Sequence, residues 1–516
     1  MRRDDRRRFL GQVGSGMLVG SLGTALAGDL GIASEASADD SDRLTFGDLE
    51  PLVTVMQETP LKRLQRVLID ELNSGTELRT LVAAGTLANA RTFGGHDYVG
   101  FHTFMALAPA LEMAAELPSE RQALPVLKVL YRNTARITEF GGVSEEVLRE
   151  IDAQKHRGHR NAGQQLQTAT RKADVDSAEQ IMAAIAGDPA KTIFDHVQLP
   201  VQDEVNVHRV VLAWRAWQAV DLVGQQHAST LLRQSVRFCL QSSKTRIDQG
   251  RRDPELWTLL PSLLDQYHLL GKSPGSRKAD DQWIEQMAWT IFQSNRAQAA
   301  DAVAQALVEG FAPDQIAEAM SVAANLLLLH DPGRDKDGDG DKVKGSVHGA
   351  SVGVHASDAA NAWRNIARVS SPRNTVASLL VGAYHTAGQS PRVSKDRWLL
   401  KSDAVDSIDD RSLLLQTAKE AVQNRDQRLA GAATQRFGEL GGSAAQLSAV
   451  MLEFATSEDG ALHAEKYFRT ANEEFVGTRA SLRWRQLVAL ARVSASEYGT
   501  TAPGHHEACE LLGVDV

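Results

Sequence analysis

The chain has 516 residues, of which 43% are hydrophobic and 23% charged, with a formal net charge of −9. This composition is typical of a globular protein, and the length is enough for two or three domains or for one duplicated fold. Because the charge is acidic, the composition argues against binding to nucleic acid or to an anionic membrane surface.

The N-terminus is predicted to be an export signal. Met1–Arg8 is basic, a weakly apolar, Gly-rich run follows, and small-residue cleavage sites stand at 25–27 and 36–38. RRRFLG at Arg6–Gly11 resembles the twin-arginine (Tat) signal, which implies export of the folded protein by the Tat translocase to the periplasm or the medium. A general secretory signal or a short membrane anchor is the alternative. Removal of residues 1–27 takes away five arginines and two aspartates and leaves a net charge near −12.

The rest of the chain predicts neither a membrane span nor a cysteine-based site. After the signal, no stretch approaches the roughly 18 consecutive apolar residues that a spanning helix needs. Cys239 and Cys509 are the only cysteines. An oxidising compartment would allow one disulfide, but nothing in the sequence pairs them.

Beyond a polar linker at 28–45, the pattern is helical. The segment 60–72 places four leucines on one helical face: Leu61, Leu64, Leu68 and Leu72. No convincing alternating strand pattern is present. The sequence therefore predicts an all-α fold.

Segments of the first half recur in the second half in the same order. Three pairs of segments correspond: 57–91 with 293–327, 96–131 with 348–384, and 207–217 with 462–472. The offset between the halves jumps at one place, the acidic loop 330–346, which is an insertion in the second copy. Agreement of order and spacing predicts a tandem duplication of a helical unit with a pseudo-two-fold arrangement.

The duplication predicts the organisation of the whole chain. Its parts are a signal peptide (1–27), the linker (28–45), copy 1 (46–240), connecting helices (241–285), copy 2 (286–495, with the acidic insertion 330–346) and a C-terminal tail (496–516).

Three histidines recur in register between the copies. The pairs are His96 with His348, His102 with His355, and His208 with His463. A core histidine is free to change in one copy, so recurrence predicts a role. Neutral imidazole is the commonest biological metal ligand and also an acid or base near neutral pH. An all-imidazole shell favours Fe, Cu or Zn, or heme. The structural alternative is that these rings cap or cross closely packed helices.

Two carboxylates stand next to these histidines. Asp97 follows His96, and Asp358 lies one helical turn after His355. Neither recurs in the other copy, which argues against a symmetric carboxylate-bridged di-iron centre. We expect them to orient the imidazole rings instead.

Tryptophans near the histidines suggest a ligand if a cavity exists. They are Trp214, Trp217 and Trp363. Around a cavity, such rings favour a small apolar or aromatic molecule. Core packing is the alternative interpretation of the same spacing.

The acidic insertion resembles part of a calcium loop. Its carboxylates stand at alternate positions: Asp335, Asp337, Asp339 and Asp341. Lys342 and Ser346 occupy the places of the usual aliphatic residue and the bidentate glutamate. Calcium binding and a solvated acidic loop are therefore both open.

The sequence contains a serine-hydrolase motif, but the secondary structure predicted around it does not suit that function. GASVG at 349–353 matches the nucleophile elbow around Ser351. That elbow needs a strand before the serine and a helix after it. The helical surroundings argue against this function.

GHDYVGFHTFMALAPALEMA (95–114) and GSVHGASVGVHASDAANAWRNI (345–366) resemble the His-bearing helices of the questin-oxidase-like family. Members are all-helical, and some carry out Baeyer–Villiger-type oxygenation and ring opening of aromatic polyketides. The resemblance implies that four histidines are pocket residues: His96, His102, His348 and His355. It favours an oxidoreductase over a hydrolase.

The patterns together predict an exported, oxygenase-like oxidoreductase with a histidine-lined cavity between two helical halves. The six histidines would ligate a redox metal (Fe or Cu), Zn or heme, or act as acid–base groups without a metal. The competing prediction is a non-enzymatic metal-binding or helical scaffold protein of the cell envelope.

Overall fold

A computed structural model describes five segments of the chain: 42–151, 161–271, 273–337, 343–347 and 351–515. The predicted export signal lies outside these segments. So do three of the predicted site residues: Asp339, Asp341 and His348.

The fold is all-α, as predicted. Within the described residues there are 22 α-helices and no strand. The first ten are α1 (Glu50–Glu58), α2 (Leu61–Asn73), α3 (Leu78–Phe93), α4 (Tyr98–Ala114), α5 (Ala123–Phe140), α6 (Ala162–Arg171), α7 (Val175–Ile185), α8 (Ala190–Val201), α9 (Val207–Val223) and α10 (Ala228–Asp248). The next twelve are α11 (Leu256–Gln266), α12 (Asp281–Gln293), α13 (Arg296–Val308), α14 (Pro313–Leu329), α15 (Val352–Val369), α16 (Pro372–Ala387), α17 (Arg411–Gln423), α18 (Gln427–Glu439), α19 (Ala444–Ser457), α20 (His463–Gly477), α21 (Trp484–Glu497) and α22 (His505–Leu512).

Local sequence signals set the helix boundaries around the later site. Asp97, Asn206 and Ser351 cap α4, α9 and α15, each accepting a hydrogen bond from a backbone amide of the first turn. Apolar periodicity then buries one face, as in α2, where Leu64 and Leu68 are fully buried.

Two hydrophobic clusters hold the helices together. The larger one contains buried residues from α1 to α16, and the smaller one is built mainly from α17 to α21. Among the described residues, no helix is both long and apolar enough to cross a membrane.

Four helices that the sequence repeat relates in pairs lie side by side. The repeat aligns α4 with α15 and α9 with α20. In the structure, α4 contacts α9, α9 contacts α15, α15 contacts α20, and α20 contacts α4. This closed ring of four helices places residues of both halves around one axis. The duplication itself stays a prediction.

Candidate functional site: a four-histidine cluster

Four of the six predicted histidines meet inside the ring of four helices. His102 (α4), His208 (α9), His355 (α15) and His463 (α20) form a closed cycle of ring contacts, called the four-histidine cluster below. Centroids are 4.7 Å apart between His102 and His208 and 5.8 Å between His208 and His355. They are 5.3 Å apart both between His355 and His463 and between His463 and His102.

Each of these histidines lies in the first or second turn of its helix. His463 opens α20, His208 is near the start of α9, and His355 and His102 follow within two turns of the starts of α15 and α4. All four helices therefore begin at the cluster. Their N-terminal ends, which carry partial positive charge, converge on the imidazoles.

Backbone carbonyls orient two of the rings. His102 Nδ1 lies 2.6 Å from the carbonyl oxygen of Tyr98, and His463 Nδ1 lies 3.1 Å from that of Ala461. Because a carbonyl oxygen only accepts, each Nδ1 carries the proton and donates it. In a neutral ring this leaves Nε2 with its lone pair, the form that binds a metal or accepts a proton.

Two of the four Nε2 atoms lie next to each other. His355 Nε2 and His463 Nε2 are 3.3 Å apart. Those of His102 and His208 are buried and have no hydrogen-bond partner among the described residues. Orphaned buried nitrogens of this kind call for an explanation, such as an ion or a ligand between them.

Three of the imidazoles are held neutral. Burial, aided by the positive charge of Lys466, lowers the pKa of His208 to about 3 and that of His355 to about 4. The same causes lower the pKa of His102 still further. Neutral rings are the species that a metal requires.

One side of the cluster reaches solvent through an aromatic residue. The Tyr98 side chain is 60% exposed, yet its ring centroid lies 4.4 Å from that of His102 and 5.5 Å from that of His208. Tyr98 therefore covers the cluster on its outer side.

A left-handed turn precedes His463. Gly460, Ala461 and Leu462 have φ angles of 48°, 49° and 65°. Only the glycine adopts this conformation without strain, so Ala461 and Leu462 are held there by their surroundings. The turn aims the Ala461 carbonyl at His463 Nδ1, and strain of this kind concentrates at functional sites.

A charged layer lies one helical turn below the cluster, and the sequence patterns did not identify it as a unit. Lys466 follows His463 by three residues on α20, and Asp358 follows His355 by three on α15. Both are buried. The sequence signal for this layer is the three-residue spacing of each residue from its histidine. A search for recurring residues does not find them, because the repeat aligns Lys466 with Val211 and Asp358 with Met105.

Asp358 does not orient a histidine. Its Oδ1 accepts a hydrogen bond from the Thr470 hydroxyl at 2.7 Å. Burial raises the pKa of this carboxyl, against the opposing effect of Lys466. Asp97, the other predicted orienting carboxylate, caps α4 and pairs with Arg136 at 2.6 Å. Backbone carbonyls orient two of the rings instead.

Further along the same helices, partly buried ion pairs lie at the walls of the ring. Arg469 of α20 pairs with Glu112 of α4 and, at 2.9 Å, with Glu473. Arg215 of α9 is buried near these carboxylates and donates to Gln218 at 2.6 Å.

A cleft of about 910 Å³ opens near the C-terminal ends of α15 and α20. Its lining includes several polar side chains, among them Asn361, Asn365, Arg469, Asn472 and Glu473. The four histidines do not line it. The predicted histidine-lined cavity is thus, in this structure, a cluster whose rings contact one another directly.

The remaining predicted residues lie elsewhere. His96 is exposed and has Arg237 and Glu179 as charged neighbours. Ser351 caps α15 and donates a hydrogen bond to Asp331 at 2.7 Å. In the acidic insertion, Asp337 accepts a hydrogen bond from the Lys344 amide, and calcium binding there stays a prediction.

The aromatic and sulfur side chains have structural contacts. Trp363 donates its indole N–H to His385 Nδ1 at 3.3 Å, and the Trp217 ring packs on Phe194. Cys239 and Cys509 are both buried and unpaired.

Neither a preformed metal site in the described part of the chain nor a similar known protein accompanies the cluster. Within the described ranges, no group of three or more His, Cys, Asp or Glu side chains is already arranged to hold a metal ion. Comparison of the chain with family models, curated proteins and solved structures finds no match. The resemblance to the questin-oxidase-like family stays an expectation.

Proposed function

We propose that the four-histidine cluster binds a single transition-metal ion and that the protein is an exported, metal-dependent oxidoreductase. One observation carries the proposal: four imidazoles from four helices converge, and the buried Nε2 atoms of His102 and His208 have no hydrogen-bond partner among the described residues. The orienting bonds to Tyr98 and Ala461 follow the rule that a ligating histidine donates its other nitrogen to a carbonyl or carboxylate.

The spacing of His355 and His463 suits a shared ion. In a tetrahedral site with metal–nitrogen bonds of about 2.0–2.1 Å, two ligand nitrogens lie about 3.3 Å apart. The observed Nε2–Nε2 distance is 3.3 Å. Since the four rings are already in contact, we expect His102 and His208 to reach the ion by turning their side chains, without movement of the helices.

The test is metal analysis of the full-length protein purified from its native compartment. We expect at least one equivalent of Fe or Cu per chain. The double variant His102→Ala, His355→Ala should lose it. His96→Ala is the matched control and should keep it, because His96 stands apart from the cluster.

The metal that is found separates the enzyme from its alternative. Iron or copper supports an oxidoreductase, whereas zinc, which has no redox chemistry, favours a non-enzymatic metal-binding protein. A metal-free protein whose histidine variants are only less stable would contradict both and leave a structural cluster.

A further inference from the structure

A second cleft, of about 380 Å³, lies where three parts of the chain meet. Its lining comes from the segment between α4 and α5 with the start of α5, from α17 and the end of α19, and from the residues that follow α21 up to the start of α22. Small-molecule sites usually have volumes of roughly 300–1,000 Å³. The four-histidine cluster is a separate place, because the twelve residues of α4 from His102 to Ala114 alone extend over roughly 18 Å.

Two buried polar side chains in the lining of this cleft lack a hydrogen-bond partner. His505 and Thr456 are each 4% exposed, and within the described residues neither His505 Nδ1 nor Thr456 Oγ1 is hydrogen-bonded. The other ring nitrogen of His505, Nε2, lies 3.6 Å from the Cys509 sulfur. Buried polar atoms are normally satisfied, so two orphaned atoms along one cleft indicate a missing partner.

The carboxylates that line the cleft are already compensated. Glu453 pairs with Lys419 at 2.7 Å. Glu458 accepts hydrogen bonds from the backbone amides of Gly499 and Thr500 at 2.8 and 2.9 Å. Neither carboxylate therefore has a charge left to balance a further cation.

Arg121 supplies a positive charge to the same cleft. Its guanidinium donates to the main-chain carbonyl oxygen of Asp515 at 2.5 Å, and no described carboxylate lies within ion-pairing distance of it. Burial, with the positive charges of Lys128 and Arg121, lowers the pKa of His505 to about 4, so this ring is neutral. Lys128 is itself paired with Glu465 at 2.6 Å. Arg121 is therefore the cation that is available to a ligand.

Apolar side chains form another part of the lining. Leu117 and Leu124 line the cleft together with Phe454 and Tyr498. The rings of Phe454 and Tyr498 meet edge to face, with centroids 5.5 Å apart. Such surfaces favour a ligand with a flat, apolar body.

We infer that this cleft binds a small aromatic carboxylate, whose negative charge is met by Arg121 and whose oxygens accept hydrogen bonds from His505 Nδ1 and Thr456 Oγ1. The apolar body of the ligand packs on Phe454 and Leu124. Donation from Nδ1 requires the ring proton on that nitrogen, and Nε2 then accepts from the Cys509 thiol. The site is independent of the metal proposed for the four-histidine cluster.

The experiment is a calorimetric titration of the full-length protein with benzoate, which joins one carboxylate to a flat apolar ring. Benzamide, its uncharged counterpart, is titrated in parallel. We expect benzoate to bind and to raise the melting temperature, because a ligand that binds only the folded state stabilises it. Benzamide should bind at least tenfold more weakly. Arg121→Gln and His505→Phe should each weaken benzoate binding at least tenfold.

Two matched variants serve as controls. Arg252→Gln removes an exposed arginine, and His506→Phe changes the exposed histidine next to His505, so both should bind benzoate as wild type does. Arg121 is only partly buried, so Arg121→Gln decides the question if His505→Phe does not fold.

Three results would overturn the inference. They are a wild type that does not bind benzoate, equal affinities for benzoate and benzamide, and an affinity of Arg121→Gln within twofold of wild type. If the double variant His102→Ala, His355→Ala loses benzoate binding while Arg121→Gln keeps it, the anion binds at the four-histidine cluster instead.

Discussion

His102, His208 and His355 are neutral because charging any of them would place a proton in a buried site near the Lys466 ammonium. For His355 this lowers the pKa to about 4, while an unfolded histidine has a pKa of about 6.5. The unfolded chain therefore takes up the proton first. As the pH falls from about 6.5 towards 4, the free energy of unfolding must fall with it.

The first prediction follows from that linkage. In metal-free protein, His355→Gln removes one group that titrates differently in the two states. Between pH 6.5 and pH 4.5, the loss of stability per pH unit should be about 1.4 kcal/mol smaller than in wild type. Urea unfolding at several pH values measures it. His506→Gln changes an exposed histidine and should keep the wild-type slope; equal slopes for His355→Gln and wild type would contradict the account.

At the scale of residues, the sequence predicted some members of the candidate site and missed others. Recurrence in register found His102, His208, His355 and His463, because the matched segments carry a histidine at the same positions. It could not show that His96 stands apart, since a matched pair of residues does not say which way a side chain points. It passed over Lys466 because a single lysine on a helix normally faces solvent, and only packing reveals that this one is buried.

At the scale of elements, the fold class followed from helical periodicity and the absence of alternating segments, and the structure confirms it. The convergence of α4, α9, α15 and α20 could not be read from periodicity, because it depends on long-range contacts between the halves. The left-handed turn before α20 could not be predicted from the sequence either. Ala461 and Leu462 are residue types that give no indication of a positive φ.

That turn gives the second prediction. Ala461→Gly replaces a strained residue by one that adopts a positive φ freely, so the free energy of unfolding should rise by about 1 kcal/mol. Chemical denaturation of the metal-free protein checks this. Ala449→Gly is the matched control: it lies in the middle of α19 on an exposed face, and there glycine should destabilise by about 1 kcal/mol. Destabilisation by both variants would show that the turn stores no strain.

At the scale of the molecule, one buried ion pair ties the two halves together. Lys128 of α5 pairs with Glu465 of α20 at 2.6 Å and donates to the carbonyl oxygens of Ala455 and Glu458. Both side chains are almost fully buried. Because Glu465 adjoins Lys466, this pair also fixes the register of α20 below the cluster.

The third prediction concerns this pair. Lys128→Met leaves the Glu465 charge buried and unpaired, which should lower the free energy of unfolding by about 3–5 kcal/mol. Adding Glu465→Gln removes that charge and should recover part of the loss. Urea unfolding of wild type, the single variant and the double variant measures the difference. A double variant no more stable than the single one would mean that the pair's charge balance is not what stabilises the contact.

The fourth prediction concerns export, which we propose from the first residues of the chain. Replacing Arg7 and Arg8 by lysine keeps the charge but removes the paired arginines that resemble a Tat signal. We expect the variant to accumulate inside the cell, as judged by fractionation and immunoblotting. Unchanged export would favour a general secretory signal. If export is lost only when the apolar run is disrupted, that result would also favour a general secretory signal.

The closed cycle of imidazoles has a consequence for the order of events in the cell. Its four rings come from positions far apart in the chain, and His463 is the last of them to be synthesised. A ribosome therefore releases the complete set only after all four helices have been translated. Whatever ion the cluster captures must be captured by a chain that already contains all four helices, and, if that chain leaves the cell folded, from the pool of ions on the cytoplasmic side.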